Sequence, residues 1–110
     1  MKTIELIGAP FDLGASLRGT SMGPAALRIA GLADRLTALE HPVVDSGDLT
    51  AKPLPDLKLE GRARDAGLVA GWARSLDQAA HAALSKGRTP MFLGGDHSIA
   101  FGTVAGASRY

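Results

Sequence analysis

The sequence predicts an α/β fold, a three-layer arrangement in which helices cover a parallel sheet. Two observations lead to this prediction. Short apolar runs rich in β-branched residues end in glycine or proline turns, which is typical of buried parallel strands. Alanine-rich amphipathic segments separate these runs, so the predicted order is β-α-β-α-β-α. Right-handed crossovers then place the helices on the faces of the sheet.

The first half of the chain contains one predicted strand and one predicted helical region. The run from Thr3 to Ile7 is apolar and closes in a turn, as a buried strand does. The segment from Gly14 to Gly23 is too rich in glycine and serine for a regular element and predicts a loop. Pro24 fits the first turn of a helix that ends near Leu39, with Gly31 as a break between two short helices.

The second half continues the alternation of strands and helices. Strands are predicted at 43–48 and 89–93, and helices at 61–86 and 99–108, while the prolines within 49–59 predict a loop. Three parallel strands would leave unpaired edges, and typical sheets have about five or six strands. We therefore expect residues 1–110 to be the N-terminal part of a larger α/β domain, truncated before its remaining strands and marginally stable alone.

Composition excludes several classes of function. The 110 residues carry 12 Lys+Arg against 11 Asp+Glu, so no strong field favours a nucleic acid. No apolar run approaches the roughly 20 residues of a membrane-spanning helix. The absence of cysteine excludes disulfides, thiolate metal sites and cysteine nucleophiles. The first residues lack the apolar core of a signal peptide. We expect a cytoplasmic protein without nucleic-acid or membrane partners.

Polar residues follow each predicted strand, where ligands bind to open α/β sheets. Asp12 follows the first strand, Asp48 follows the second, and Asp96 and His97 follow the third. We interpret Asp12 as a turn former. Asp48 and its neighbour Asp45 read as solvated strand-end residues.

The segment Gly94-Gly95-Asp96-His97-Ser98 is the most informative motif. Its glycines permit a tight turn that sets an imidazole beside a carboxylate, and Ser98 is predicted to cap the following helix. A neutral imidazole is a ligand for Mn²⁺ or Zn²⁺. The residues alone also fit a structural turn in which His97 packs or caps, since a catalytic metal needs at least three protein ligands.

Other chemistries find little support in the sequence. The glycines after the first strand match neither a Walker motif nor a dinucleotide-binding motif, and no serine has a recognisable His-acid pair. Arg18 and Gly19 lie in the first loop, where Arg18 either reaches an anionic group or is simply solvated. The pair Gly67 and Gly71 predicts close helix packing, and Trp72 predicts a core or interface position.

Two separated motifs carry a family resemblance. One motif is the run from Ile7 to Gly14, followed by Arg18-Gly19, Met22-Gly23-Pro24 and Leu27-Arg28. It resembles the N-terminal signature of the arginase/agmatinase (ureohydrolase) family. The segment from Gly94 to Ser98 resembles that family's first metal-binding motif. Together with Ala30-Gly31-Leu32, the first motif is closer to arginase than to agmatinase.

The resemblance implies the N-terminal part of the arginase fold and a binuclear Mn²⁺ hydrolase of arginine metabolism and the urea cycle. That enzyme uses hydroxide to convert L-arginine to L-ornithine and urea and is a homo-oligomer in its full-length form. By position, His97 resembles a Mn²⁺ ligand. The other motif residues would support the geometry of this ligand or border the active-site mouth: Gly94, Gly95, Asp96, Ser98, Asp12, Arg18 and Gly19.

The family's other metal-binding motifs and its catalytic histidine are not found in this sequence. We therefore assign no catalytic residue and expect the 110-residue chain alone to be inactive, because one imidazole cannot hold two metal ions. Two alternatives remain open. The parent enzyme is an agmatinase or another guanidino hydrolase, or the chain is a non-catalytic interaction module whose open sheet edge is covered by a partner.

Overall fold

The protein is described by a computed structural model that covers residues 2–11, 19–51 and 66–110. Its centre is a three-stranded parallel sheet with the order β2-β1-β3. The predicted α/β class is confirmed. Among the described residues the main elements are β1 (Ile4–Ala9), α1 (Gly23–Ile29), α2 (Leu32–Ala38), β2 (Val43–Asp48), α3 (Ala66–Ser85), β3 (Thr89–Gly94) and α4 (Ala100–Ser108). Short 3-10 helices lie at Thr20–Met22 and His97–Ile99.

The strand order places helices on both faces of the sheet. The chain passes from β1 to β2 on one side, and then from β2 back across β1 to β3. Because such crossovers are right-handed, the two connections run over opposite faces. Helices α1 and α2 therefore lie on one face and α3 lies on the other, where α4 packs against it.

Strand β1 lies at the centre of the core, and each of its residues is buried. Ile4 and Leu6 form an apolar cluster with Leu93 of β3 on the first face. The same cluster includes partly buried side chains from α2 and the flanking strands, namely Leu32, Ala33, Leu36, Val43 and Met91. On α3, Leu76, Ala80 and Ala83 are buried. Successive side chains of β1 point to opposite faces of the sheet, so the strand supplies apolar contacts to the helices on both faces.

Glycines separate or end helices where the sequence predicts it. Gly31 has φ +88° and lies between α1 and α2, and Gly87 has φ +73° just after α3. Such backbone conformations strain a residue with a side chain, so both glycines mark real helix boundaries. The predicted loop at 52–59 and the predicted start of α3 at 61–65 lie outside the described residues.

The prediction that Ser98 caps the last helix is wrong, because Asp96 is the cap residue. The helix begins with the 3-10 turn His97–Ile99, and the carboxylate of Asp96 accepts a hydrogen bond from the Ser98 backbone N–H at 2.8 Å. Asp96 has extended backbone angles, which is the geometry of an N-cap residue. Ser98 therefore lies inside the first turn instead of preceding it.

Helices α3 and α4 approach each other closely through two glycines of α4. A Cβ atom at Gly102 would lie 2.3 Å from the Ala73 carbonyl oxygen, and one at Gly106 would lie 2.2 Å from the Asp77 carbonyl oxygen. Arg109 pairs with the Asp77 carboxylate at the end of this contact. No helix in the described part of the chain has both the length and the apolarity to cross a membrane.

Candidate functional site

The candidate site lies where the carboxyl ends of β1 and β3 meet. Strand β1 leads to α1 on one face, whereas β3 leads to α4, which packs with α3 on the other. In open α/β sheets such a divergence forms a crevice that binds ligands. Phe11, just beyond β1, accepts a hydrogen bond from the Asp96 backbone N–H at 2.8 Å. The segments that leave the two strands are thus in direct contact.

The turn after β3 requires glycine at position 95. Gly95 has φ +78°, and a Cβ atom there would lie 2.5 Å from the Ala9 carbonyl oxygen and 2.8 Å from that of Phe11. A Cβ atom at Gly94 would lie 2.4 Å from Cδ1 of Ile99. A side chain at position 95 would displace the backbone at the end of β1, whereas one at position 94 would meet only the flexible end of the Ile99 side chain. Gly95 therefore brings residues 96 and 97 onto the end of β1.

The two chemistry-bearing side chains of this turn have different environments. The Asp96 carboxylate is half-buried and accepts hydrogen bonds from both the backbone N–H and the hydroxyl of Ser98. The His97 side chain is exposed. It borders an open groove with a mainly apolar lining of Ser98, Ala100, Phe101, Val104 and Ala105. Asp96 thus shapes the turn, while the imidazole of His97 faces open space.

The residues of the described ranges do not by themselves fit a metal centre. Within those ranges, no group of three or more His, Cys, Asp or Glu residues is placed to hold a metal ion. His97 offers one imidazole, and a catalytic metal needs at least three protein ligands. The predicted contributors Asp12 and Arg18 lie outside the described residues. The site as described is therefore one part of a ligand set.

The segment that precedes α1 contacts the turn directly. Thr20 accepts a hydrogen bond from the Gly95 N–H at 3.3 Å, and its hydroxyl donates to the Phe11 carbonyl oxygen at 3.4 Å. A Cβ atom at Gly23 would lie 2.1 Å from the Gly94 carbonyl oxygen. Gly19, which has φ +130°, is exposed just before this segment. The segment predicted to border the site thus contacts it from 20 to 23, where it forms a 3-10 turn and the first residue of α1 instead of a loop.

A cluster of charges that was not predicted from the sequence lies at the end of β2. Asp45 and Asp48 are exposed at the strand end, as predicted, but the Arg28 guanidinium also contacts both carboxylates. The hydrogen bond from Arg28 holds the pKa of Asp45 below its ordinary value of 3.8, aided by the Gly47 N–H. The same contacts raise the pKa of Arg28. The available signal was an arginine in a last helical turn, followed by two carboxylates flanking a glycine.

Comparison with known proteins identifies the family of the chain. A family model described as "Arginase family" matches residues 2–110. The chain belongs to the arginase family. The resemblance drawn from the two sequence motifs is thereby confirmed, and the match extends through the segments between the motifs.

Relatives that are named arginase are similar over the whole of this chain. An arginase from Bacillus caldovelox is 42% identical over 100% of this chain and 38% of its own length. The mitochondrial arginase-2 of Homo sapiens is 40% identical over 98% of this chain and 31% of its own length. The chain thus spans about a third of the length of these arginases.

Solved structures give the same fold. The native structure of the Bacillus caldovelox arginase matches with a TM-score of 0.82 at 38% identity, covering 99% of this chain and 37% of that one. The arginase from Bacillus subtilis matches with a TM-score of 0.79 at 39% identity, covering 98% of this chain and 34% of that one. In both cases the shared part is an arginase-type α/β segment.

Proposed function

We propose that this chain forms one part of a manganese-dependent arginase that hydrolyses L-arginine to L-ornithine and urea. His97 serves as one metal ligand, and Gly94, Gly95, Asp96 and Ser98 hold it in place. Asp12, Arg18 and Gly19 border the mouth of the site. The complete enzyme is a cytoplasmic homo-oligomer that needs no nucleic-acid or membrane partner.

The exposed imidazole of His97 at the junction of β1 and β3 is the observation that carries this proposal. This junction is the place where an open α/β sheet binds its ligand, and relatives similar over the whole chain are named arginases. A guanidinium carbon is a poor electrophile at neutral pH, so its hydrolysis needs an activated water. A manganese pair supplies this activation when it is bound, by lowering the pKa of water.

The 110-residue chain alone is inactive under this proposal. Among its described residues His97 is a single imidazole without the further ligands that a metal pair requires. The chain matches 38% of the length of the Bacillus caldovelox arginase, and the missing ligands belong to the part that has no counterpart here. We expect no release of urea from L-arginine by the purified chain with added Mn²⁺. Urea release that depends on Mn²⁺ would contradict this.

A chimaera tests the proposed role. Residues 1–110 would replace the matching segment of the Bacillus caldovelox arginase, with which they share 42% identity. We expect a folded chimaera that releases urea from L-arginine and binds about two Mn²⁺ per site. The variant His97→Asn should reduce both activity and bound Mn²⁺. Arg74→Gln, at an exposed position of α3, should change neither. A folded chimaera with full metal content after His97→Asn would refute the assignment.

A second candidate function is a non-catalytic interaction module. It is favoured by the exposed apolar side chains of α4, where Phe101 is 74% and Val104 is 65% exposed, and by the position of β3 at an edge of the described sheet. Metal content separates the candidates, since an interaction module takes up no Mn²⁺ in complex with its partner. A parent enzyme that acts on agmatine or another guanidino compound would bind metal but prefer that substrate over L-arginine.

A further inference from the structure

One arginine joins helix α1 to strand β2. The Arg28 Nε lies 2.9 Å from Asp45 Oδ2, its Nη2 lies 3.1 Å from Asp45 Oδ1, and its Nη1 lies 2.5 Å from Asp48 Oδ1. The guanidinium thus donates two parallel hydrogen bonds to one carboxylate and a third to another. This arrangement fixes the orientation of the guanidinium, which a single point charge would not do.

The charged groups of Arg28 and Asp48 lie next to Gly8 of the central strand β1. A Cβ atom at Gly8 of β1 would lie 1.9 Å from Asp48 Oδ1 and 3.1 Å from Arg28 Nη2. A side chain at position 8 would therefore push the charged groups apart. Leu49, which follows β2, donates its N–H to the Gly8 carbonyl oxygen at 2.8 Å. The end of β2 is thus held to both β1 and α1 around this glycine.

The other end of α1 lies on the candidate site. Gly23 begins the helix and contacts the carbonyl oxygen of Gly94 so closely that no Cβ atom fits between them. Thr20, just before the helix, accepts the hydrogen bond of the Gly95 N–H, and Pro24 is fully buried. A helix of 7 residues is about 10 Å long. It connects the charge cluster on β2 with the turn that carries His97.

We propose that Arg28 is a positioning residue for the candidate site, and this rests on the proposed function of His97 as a metal ligand. By fixing the carboxyl end of α1 against β2, Arg28 sets where the amino end presses on Gly94 and Gly95. The orientation of the turn then depends on charges at the far end of the helix. Arg28 touches neither substrate nor metal.

Amide hydrogen exchange of the 110-residue chain tests this coupling. In Arg28→Met we expect exchange at the Gly95 and Asp96 amides to rise about tenfold, while the amide of Ala80 in α3 keeps its rate. Arg28→Lys retains the charge but loses the paired hydrogen bonds, so its rise should be smaller. The matched control is Arg35→Met, because Arg35 is exposed on α2 and makes no ion pair among the described residues. That variant should exchange like the wild type.

If Arg28→Met does not fold, the same exchange rates are measured in Asp48→Asn. This variant removes one charged partner of Arg28 and leaves the pair between Arg28 and Asp45 in place. A rise at Gly95 and Asp96 alone supports the coupling. Unchanged rates at these two amides, or an equal rise at Ala80, would overturn it, because the second result indicates general destabilisation. The readout contains no metal. A rise in exchange together with unchanged Mn²⁺ content of the His97→Asn chimaera would thus retain the coupling and reject the metal role.

Discussion

At its amino end helix α1 meets the Gly94–Gly95 turn through backbone contacts, whereas at its carboxyl end it is joined to β2 by charged side chains. The first contact has almost no room for adjustment, because a Cβ atom at Gly23 would lie 2.1 Å from a carbonyl oxygen. The second is partly exposed, with 25% of the Arg28 side chain and 44% of the Asp48 side chain accessible to solvent.

This difference predicts how each end responds to change. Close backbone contact depends on shape and not on pH or salt, so only a substitution that adds atoms disturbs it. An exposed ion pair depends on protonation and on ionic strength. The turn that carries His97 is therefore fixed by shape next to the site and adjusted by charge at a distance from it.

The largest effect is expected from Gly95→Ala. Its methyl group would meet the carbonyl oxygens of Ala9 and Phe11 and also strain a backbone with φ +78°. We expect a loss of about 3 kcal/mol in the free energy of unfolding, measured by urea denaturation with circular dichroism. The matched control is Gly31→Ala, which has φ +88° but nothing within 4 Å of its new Cβ atom. That variant should lose only about 1 kcal/mol, and equal losses would argue against the close contact.

A smaller effect, dependent on pH, is expected from Asp45→Asn at the charged end. The hydrogen bond from Arg28 lowers the pKa of Asp45 below 3.8 in the folded state, so the carboxylate stabilises the fold above that pH. The contribution is lost as the pH falls through the folded-state pKa. At pH 7 the variant should be less stable by at most about 1 kcal/mol, since the pair is partly exposed. The difference should shrink as the pH falls towards 3.8, the ordinary pKa of the carboxyl, and should shrink further below it.

The control for Asp45→Asn is Glu40→Gln, which removes an exposed carboxylate that makes no ion pair among the described residues. Its stability at pH 7 should equal that of the wild type within experimental error. Thermal unfolding followed across pH 2 to 7 would measure both variants. A difference between Asp45→Asn and the wild type that does not vary with pH would contradict an ionic origin.

The smallest effect is expected from salt. Raising NaCl from about 0.05 to about 0.5 M shortens the screening length and should reduce the stability difference between wild type and Arg28→Met by a few tenths of a kcal/mol. The difference between wild type and Gly95→Ala should stay constant, because its cause is steric. Urea midpoints at both salt concentrations would show this, and an equal response of the two variants would remove the distinction between the two ends of α1.

The elements of the fold were largely predictable because each has a local signal. The strand at Val43–Asp48 lies where it was predicted, and the break between α1 and α2 was predicted from Gly31 alone. The sequence showed the three charged residues, but their contact also depends on β2 lying beside β1 under the same helix, so local signals alone did not predict it. Which strands lie side by side depends on the strand order of the sheet, and the local periodicity of the sequence does not determine that order.

Local sequence signals also predicted only some features of the candidate site. The turn at Gly94-Gly95 and the placement of His97 at a strand end follow from sequence, but the choice of Asp96 over Ser98 as the cap does not. Both residue types are good caps, and the backbone angles of a single residue decide between them. The roles of His97 as a metal ligand and of Asp12 and Arg18 at the mouth of the site stay predictions.

The contact between Phe11 and Trp72 provides an optical probe of this region. The two rings lie with their centroids 5.6 Å apart, and Trp72 is the only tryptophan of the sequence. Phe11 also accepts the hydrogen bond from Asp96, so the indole lies one residue away from the junction of β1 and β3. Its fluorescence emission will report the environment of that junction without any label. Stopped-flow mixing can therefore record when the turn becomes ordered during refolding.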